Sequence, residues 1–173
     1  MGVLNRKIDS DIIAQLDTAT QDTGATQTGS LALVMYAKTV LGNNDVENDG
    51  NIFAVITPAF EAYLMQTKEF ASADYVGSKK FDGKLGTNFN WAGVNFVVST
   101  RLTGKGTSAE KCYMYHRSAI GHACDSERLR VTPGYVTEHD YSFCLATGYF
   151  GSKLLQNSGV VQMLHDGSAF SAQ

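Results

Sequence analysis

Leu4, Ile8, Ile12 and Leu16 recur every four residues, with Ile13 beside them. That stripe predicts an amphipathic helix over residues 3–17, with Arg6, Asp9, Asp11 and Gln15 falling mostly on its other faces. The pattern then vanishes. Residues 18–29 hold five Thr, two Gly, two Gln, two Ala and one Asp, so no large apolar side chain is available for a core. This stretch reads as a flexible linker or exposed loop and as the best boundary in the chain. Ser30 is placed to cap a second helix over 31–41, with Leu31, Val34, Met35 and Leu41 on its buried side and Gly42 as its stop. A polar turn over 43–50 follows. The continuous apolar run Ile52-Phe53-Ala54-Val55-Ile56 then predicts a strand covered on both faces. Thr57 supplies a cap and Pro58 suits the first helical position, so a third helix is expected to about Gln66, with Phe60, Tyr63 and Leu64 facing inward.

The second half carries strand signals instead. After a Gly- and Lys-rich loop over 77–86, residues 91–99 have strand composition with Gly93 inside, and Gly104 to Ser108 form a turn. Residues 111–115 predict another strand and 118–124 a helical turn of small residues. Pro133-Gly134 is expected to be a turn, and further strands are expected over 141–149 and 160–164. Helices early and strands late predict an α+β fold with mainly antiparallel pairing.

A chain of 173 residues suggests one domain, or one with a smaller lobe, and can bury roughly 70% of its unfolded surface. Charged residues make up only 18%, below the roughly 25% of ordinary globular proteins, so polar surface comes from Thr, Ser, Asn, Gln and Gly. Such a surface suits extensive contact between subunits. The net charge is −3 and no Lys/Arg stripe exists, which argues against tight or sequence-specific nucleic-acid binding. Cys112, Cys124 and Cys144 fit no disulfide framework. No signal peptide, myristoylation signal or membrane span is expected, so the chain reads as soluble and intracellular with no membrane partner.

Four clusters invite chemistry. Cys112, His116, His122 and Cys124 are zinc-capable side chains within 13 residues. Their spacing, C-x3-H-x5-H-x-C, matches no common structural zinc pattern, and buried cysteines with satisfied histidines account for them more simply. Ser118, His122 and Asp125 supply the residue types of a nucleophile, base and orienter, without the glycine-flanked serine of a nucleophile elbow. Gly104-Lys105-Gly106-Thr107 lacks the full phosphate-loop spacing. Asp45, Glu47 and Asp49 alternate as in a calcium loop, but its twelfth position falls on Ile56. No catalytic, cofactor-binding or metal-binding residue is therefore assigned, no cofactor is expected, and an enzyme is not expected. The rival reading is a small metal-dependent protein or enzyme built on Cys112, His116, His122 and Cys124.

Several segments, taken in order, resemble the second half of tailed-phage major capsid proteins. Residues 52–64, IFAVITPAFEAYL, look like the strand, proline and helix at the heart of that family's axial domain. Residues 91–102, WAGVNFVVSTRL, are similar to its strand of an aromatic, a glycine, paired apolar residues and a serine. Residues 111–124 resemble the strand presenting a hydroxyl-Ala-x-Gly stretch, here Ser118-Ala119-Ile120-Gly121. Residues 141–164, ending Gly159-Val160-Val161-Gln162-Met163-Leu164, look like the closing strands. The resemblance spans nearly the whole chain, and order and spacing carry it.

That resemblance implies an axial-type domain over 29–130, inserted in a peripheral-type domain of helix plus sheet formed by 1–28 and 131–173. The opening helix would be the rear of the family's long spine helix. The implied function is a structural subunit of a phage or prophage capsid shell, a late protein with no enzymatic role. Its implied partners are copies of itself in hexamer or pentamer rings, with other capsid, scaffold or portal proteins. The implied location is the virion, after assembly in the bacterial cytoplasm. Loops over 43–50 or 77–90 would meet at the ring axis. The family's long N-terminal arm and extended β-hairpin loop find no match here, as a truncated product, an internal start or a decayed prophage copy would show. An encapsulin-like cargo shell shares the implied fold.

Overall fold

The computed structural model describes residues 2–71 and 88–170. The expected loop over 77–86, and most of the proposed 77–90 tip, lie outside the described residues. The elements in chain order are α1 (Gly2–Leu16), α2 (Leu31–Asn43), β1 (Ile52–Ile56), α3 (Pro58–Gln66), α4 (Lys68–Ala71), β2 (Phe89–Trp91), β3 (Val94–Val98), β4 (Glu110–His116), β5 (Ile120–Val136), β6 (Tyr141–Leu154) and β7 (Val160–His165). The α+β expectation holds. Five strands make a sheet in the order β2-β3-β1-β4-β7, and β5 and β6 form a separate two-stranded ribbon. Only the β1–β3 pairing is parallel; the other pairings of the named strands are antiparallel.

Local chemistry places the early helices where the pattern put them. Ser30 is extended and its hydroxyl accepts from the Leu33 amide, while Thr57 does the same for Phe60, with Pro58 opening α3. The details shift with packing. Gly42 does not stop α2, which runs one residue past it, and its buried face is Leu33, Val34, Ala37 and Leu41, with Met35 exposed. Strand β1 is not fully covered. Ile52, Ala54 and Ile56 are buried, while Phe53 and Val55 are half-buried, the alternation of a strand with one tighter face. Around these residues one core gathers Leu16, Leu41, Phe60, Leu64, Phe96, Tyr113, Met114 and Met163.

Three local expectations are corrected. Residues 91–99 are not one strand: Ala92 and Gly93 both take positive φ, 53° and 76°, and fold Trp91 back against Val94. Two left-handed residues are what a tight hairpin demands. Residues 118–124 are not a helical turn: only Ser118 and Ala119 belong to one, the short turn Arg117–Ala119, and the chain is already extended at Ile120. Pro133-Gly134 is no turn either. Both lie inside β5, opposite Cys144 and Phe143, and the chain reverses over 137–140. A proline is tolerated there because, among the described residues, β5 pairs on one edge alone and its missing N–H can face the other.

The largest correction concerns residues 18–29, which are neither loose nor fully exposed. Their backbone runs along β7: the Thr23 amide donates to the Gln162 carbonyl, the Gln162 amide to Gln21, the Gln27 amide to Leu164 and the Asp166 amide to Gln27, at 2.8–3.3 Å. The Gln162 side chain donates to the carbonyls of Asp17 and Ala19 at 3.0 and 2.7 Å. Ala19, Thr23 and Gly29 are buried. Strand β7 thus belongs to the five-stranded sheet, with a polar strap along its outer edge. The ribbon is rooted elsewhere. Helix α1 packs on β6 and β5, and carbonyl Ala119 accepts from the Leu155 and Gln156 amides at the ribbon's base.

Candidate assembly surface

The residues singled out for metal chemistry are not brought together. Cys112 lies fully buried in β4, 3.9 Å from the Thr57 hydroxyl, and burial pushes its thiol up to about 12. His116 ends that strand and turns to Asp49 and Ser118. His122 sits on the ribbon, 2.9 Å from the Ser152 hydroxyl, and Cys124 is exposed two residues on. Among the described residues no three His, Cys, Asp or Glu side chains are close enough to hold an ion.

Ser118 and His122 turn to different partners, so the Ser118–His122–Asp125 set, which the sequence argued against, does not form, but a different trio does. Ser118 Oγ lies 2.7 Å from His116 Nδ1, and His116 Nε2 lies 3.1 Å from Asp49 Oδ1. The Ser118 amide also donates to Nδ1 at 3.3 Å, so the imidazole caps the short helical turn behind it. Nδ1 therefore accepts and Nε2 donates to Asp49. Side-chain and backbone hydrogen bonds from Asn51, then His116, hold the Asp49 carboxyl at about 2. The trio pins the 49–51 loop to the end of β4. Sequence spacing hid it, because Asp49 is 67 residues from His116.

The glycine-rich turn is likewise occupied from within. Gly104 and Gly106 take φ of 76° and 78°, and the Gly106 amide donates to Glu110 Oε1 at 2.5 Å. Glu110, fully buried, also accepts from Thr57 Oγ1 at 2.6 Å and from His165 Nδ1 at 3.1 Å. His165 is buried against the rings of Phe60 and Tyr63, and its Nε2 has no partner. Burial drives the imidazole below its ordinary range, although the Glu110 carboxylate pulls the other way. Two clefts of about 260 and 270 Å3 open beside His116 and Glu110, and apart from His165 Nε2 the polar groups just described face neighbours in the same chain.

What stands uncovered is the ribbon. Val131, Tyr135, Tyr141, Phe143, Leu145 and Tyr149 are 44–64% exposed. Register assigns them to two faces. Tyr141, Phe143 and Leu145 alternate along β6 and pair with Val136, Gly134 and Thr132; Val131 and Tyr135 lie on the other face, opposite Ala146 and Ser142. Helix α1 packs on the ribbon, and toward its base Phe150, Ser152 and Leu154 are half-buried. Between base and tip, a bulge puts five steps of β5, Asp125 to Arg130, against two of β6, Tyr149 to Thr147. A two-stranded ribbon is marginal by itself in water, and one this apolar exposes a patch that a soluble monomer rarely keeps. The tip is tied by a hydrogen bond from the Tyr135 hydroxyl to Asp140.

Comparison with known proteins identifies the family and the fold. A family model described as phage capsid protein matches residues 1–167. No curated protein matches. Among solved structures, one from Mycobacterium phage Che8 superposes with a TM-score of 0.74 at 22% identity, covering 94% of this chain and 59% of that one. The mature capsid of bacteriophage PhiM1 gives 0.58 at 12%, with 92% and 60% covered. The holo-SrpI encapsulin complex of Synechococcus elongatus gives 0.62 at 12%, with 99% and 65% covered. The mixed helix-and-sheet fold is thus that of phage capsid proteins. This chain spans less than two thirds of the length of each of these structures.

Proposed function

The chain belongs to the phage capsid protein family, and from that premise we propose that it is a structural subunit of a phage capsid shell, acting by self-association and not by catalysis. The observation that carries the reading is the β5–β6 ribbon, whose large apolar side chains are exposed, while the buried Glu110 carboxylate is bonded from within the chain. A heterologous contact repeated with a closing rotation makes a ring, and rings tile a shell. The proposed partners are copies of itself in five- and six-membered rings, with scaffold or portal proteins joining them, in a virion assembled in the bacterial cytoplasm.

The proposed organisation is an axial-type lobe inserted in a peripheral-type one. The expectation drawn from the sequence set 29–130 against 1–28 with 131–173. Strand pairing supports a different border: β7 and the strap at 18–29 go with the central sheet, and α1 with the ribbon at 120–154 forms the peripheral part. The 43–50 loop remains the proposed ring-axis contact. An encapsulin-like cargo shell is the second reading, favoured by the fold shared with the Synechococcus complex.

Light scattering over a hundredfold concentration range tests the proposal. Mass must rise with concentration, as mass action requires of a ring-former, and electron microscopy of the heavy fraction must show rings or closed particles. A chain that stays monomeric throughout contradicts it.

A further inference from the structure

The polar strap along β7 ends over a buried histidine. His165, the last residue of β7, is fully buried, with the rings of Phe60 and Tyr63 in α3 edge-on to its imidazole at 5.1 and 5.5 Å. Its register partner on β4 is Glu110, whose carboxylate accepts from Nδ1 at 3.1 Å. The other ring nitrogen, Nε2, is buried with no partner. Against that side lies the end of the strap: a β-carbon at Gly29 would stand 3.1 Å from both Nε2 and Cδ2. Two backbone bonds fasten the strap there, from the Gln27 amide to Leu164 at 3.3 Å and from the Asp166 amide to Gln27 at 3.0 Å. Gln27 and Thr28 themselves are exposed.

We propose that residues 27–29 are an acid-opened latch, closed over His165 while its imidazole is neutral and lifted from β7 when Nε2 gains a proton. An unpaired donor is the reason. Neutral, Nε2 leaves one lone pair unmet. Protonated, it becomes a cationic donor shut against a residue with no side chain, and burying an unpaired charge costs far more than burying a neutral group. Glu110 on β4 and Asp166 beside His165 favour the charged ring, but burial outweighs them. Of the other titratable groups nearby, α3 brings the Tyr63 phenol, and Lys105 lines the cleft beside Glu110. Asp22, the one titratable side chain of the strap, is turned to the Gly24 amide. Phe60 and much of β4 belong to the core, so the strap is the element that yields. Lifting 27–29 breaks two backbone bonds, admits water to Nε2 and leaves Nδ1 on Glu110. It also bares the outer edge of β7. Burial holds the closed imidazole below 6.5, so the open form binds more protons. Opening is therefore constant well above pH 6.5 and grows by up to about tenfold per unit below it, until the closed imidazole itself titrates.

Hydrogen exchange of the whole chain at pH 7.5 and 5.5, corrected for intrinsic rates, tests the latch. The Gln27 and Asp166 amides are expected to be less protected than those of β1 and β4 at both values, as a local opening requires. They are also expected to lose about tenfold in protection from the higher pH to the lower. Protection that does not change with pH, or that equals the core's throughout, overturns the proposal. In His165→Asn the side-chain amide can still donate to Glu110 but gains no charge, so the loss should vanish. A loss that persists in this variant places the titrating group elsewhere and overturns the proposal too. Should the variant not fold, the unaltered protein still decides. With the His165 ring resonances followed by NMR, the fall in Gln27 protection must begin near pH 6.5 and level off where the ring titrates. A fall that ignores the ring's titration contradicts the latch.

Discussion

Two stretches of this chain invert the usual relation between composition and burial. Residues 18–29 hold nothing apolar larger than alanine, yet they are fastened along β7 by backbone hydrogen bonds, with Ala19 and Thr23 buried. The distal ribbon holds Val131, Tyr135, Tyr141, Phe143 and Leu145, yet leaves them in water. Strand pairing uses N–H and C=O groups that every residue except proline carries in full, so a stretch need not be apolar to be built into a sheet. Apolar alternation, in contrast, says which side chains want cover and not whether the same molecule supplies it.

The sharpest way to break the buried side of that contrast is Glu110→Ala. It strips the acceptor from Thr57, Gly106 and His165 together, and is expected to cost about 3–5 kcal/mol by urea denaturation, the usual consequence of breaking a buried pair. Gln162→Ala removes the two side-chain bonds to Asp17 and Ala19 and should cost about 1–3 kcal/mol. It should also open residues 18–29 to limited proteolysis, whereas an unstructured strap would be cut equally in both proteins.

Acid should act on the same side. His165 is held below its ordinary value of 6.5 in the fold, so the unfolded chain binds more protons as pH drops through 6.5. Stability is then complete above that value and declines below it, by up to ~1.4 kcal/mol per pH unit until the lowered folded value is reached. Melting at pH 7.5 and 5.5 reads the slope, which should be shallower in His165→Asn. The exposed side predicts the smallest change. Leu145→Ser should alter the lone chain's stability by no more than ~0.5 kcal/mol, while light scattering shows loss of the heavy species.

Much of the architecture was legible where local chemistry decides it. Ser30 and Thr57-Pro58 mark their helix starts, and β1, β4 and β7 lie where apolar runs predicted strands. What escaped depends on partners distant in sequence or on a backbone that composition does not reveal. Ala92 in a left-handed turn looks like any strand alanine, Pro133-Gly134 looks like a turn until an open edge and a covering Phe143 are seen, and the strap's partner lies some 140 residues away. A gap of 67 residues likewise hid the observed link from His116 to Asp49. The resemblance to phage capsid proteins was carried by the order of several weak segments, and the family match over 1–167 supports it. The exposed ribbon face was readable in principle, since Tyr141, Phe143 and Leu145 alternate.

Hydrogen exchange on the lone and the associated protein tests the central claim most directly. Amides over 130–147 should exchange readily in the lone chain and become protected on association, while those of β1 and β4 stay equally protected in both. Ribbon amides that exchange alike in the two forms would mean that copies meet through some other surface.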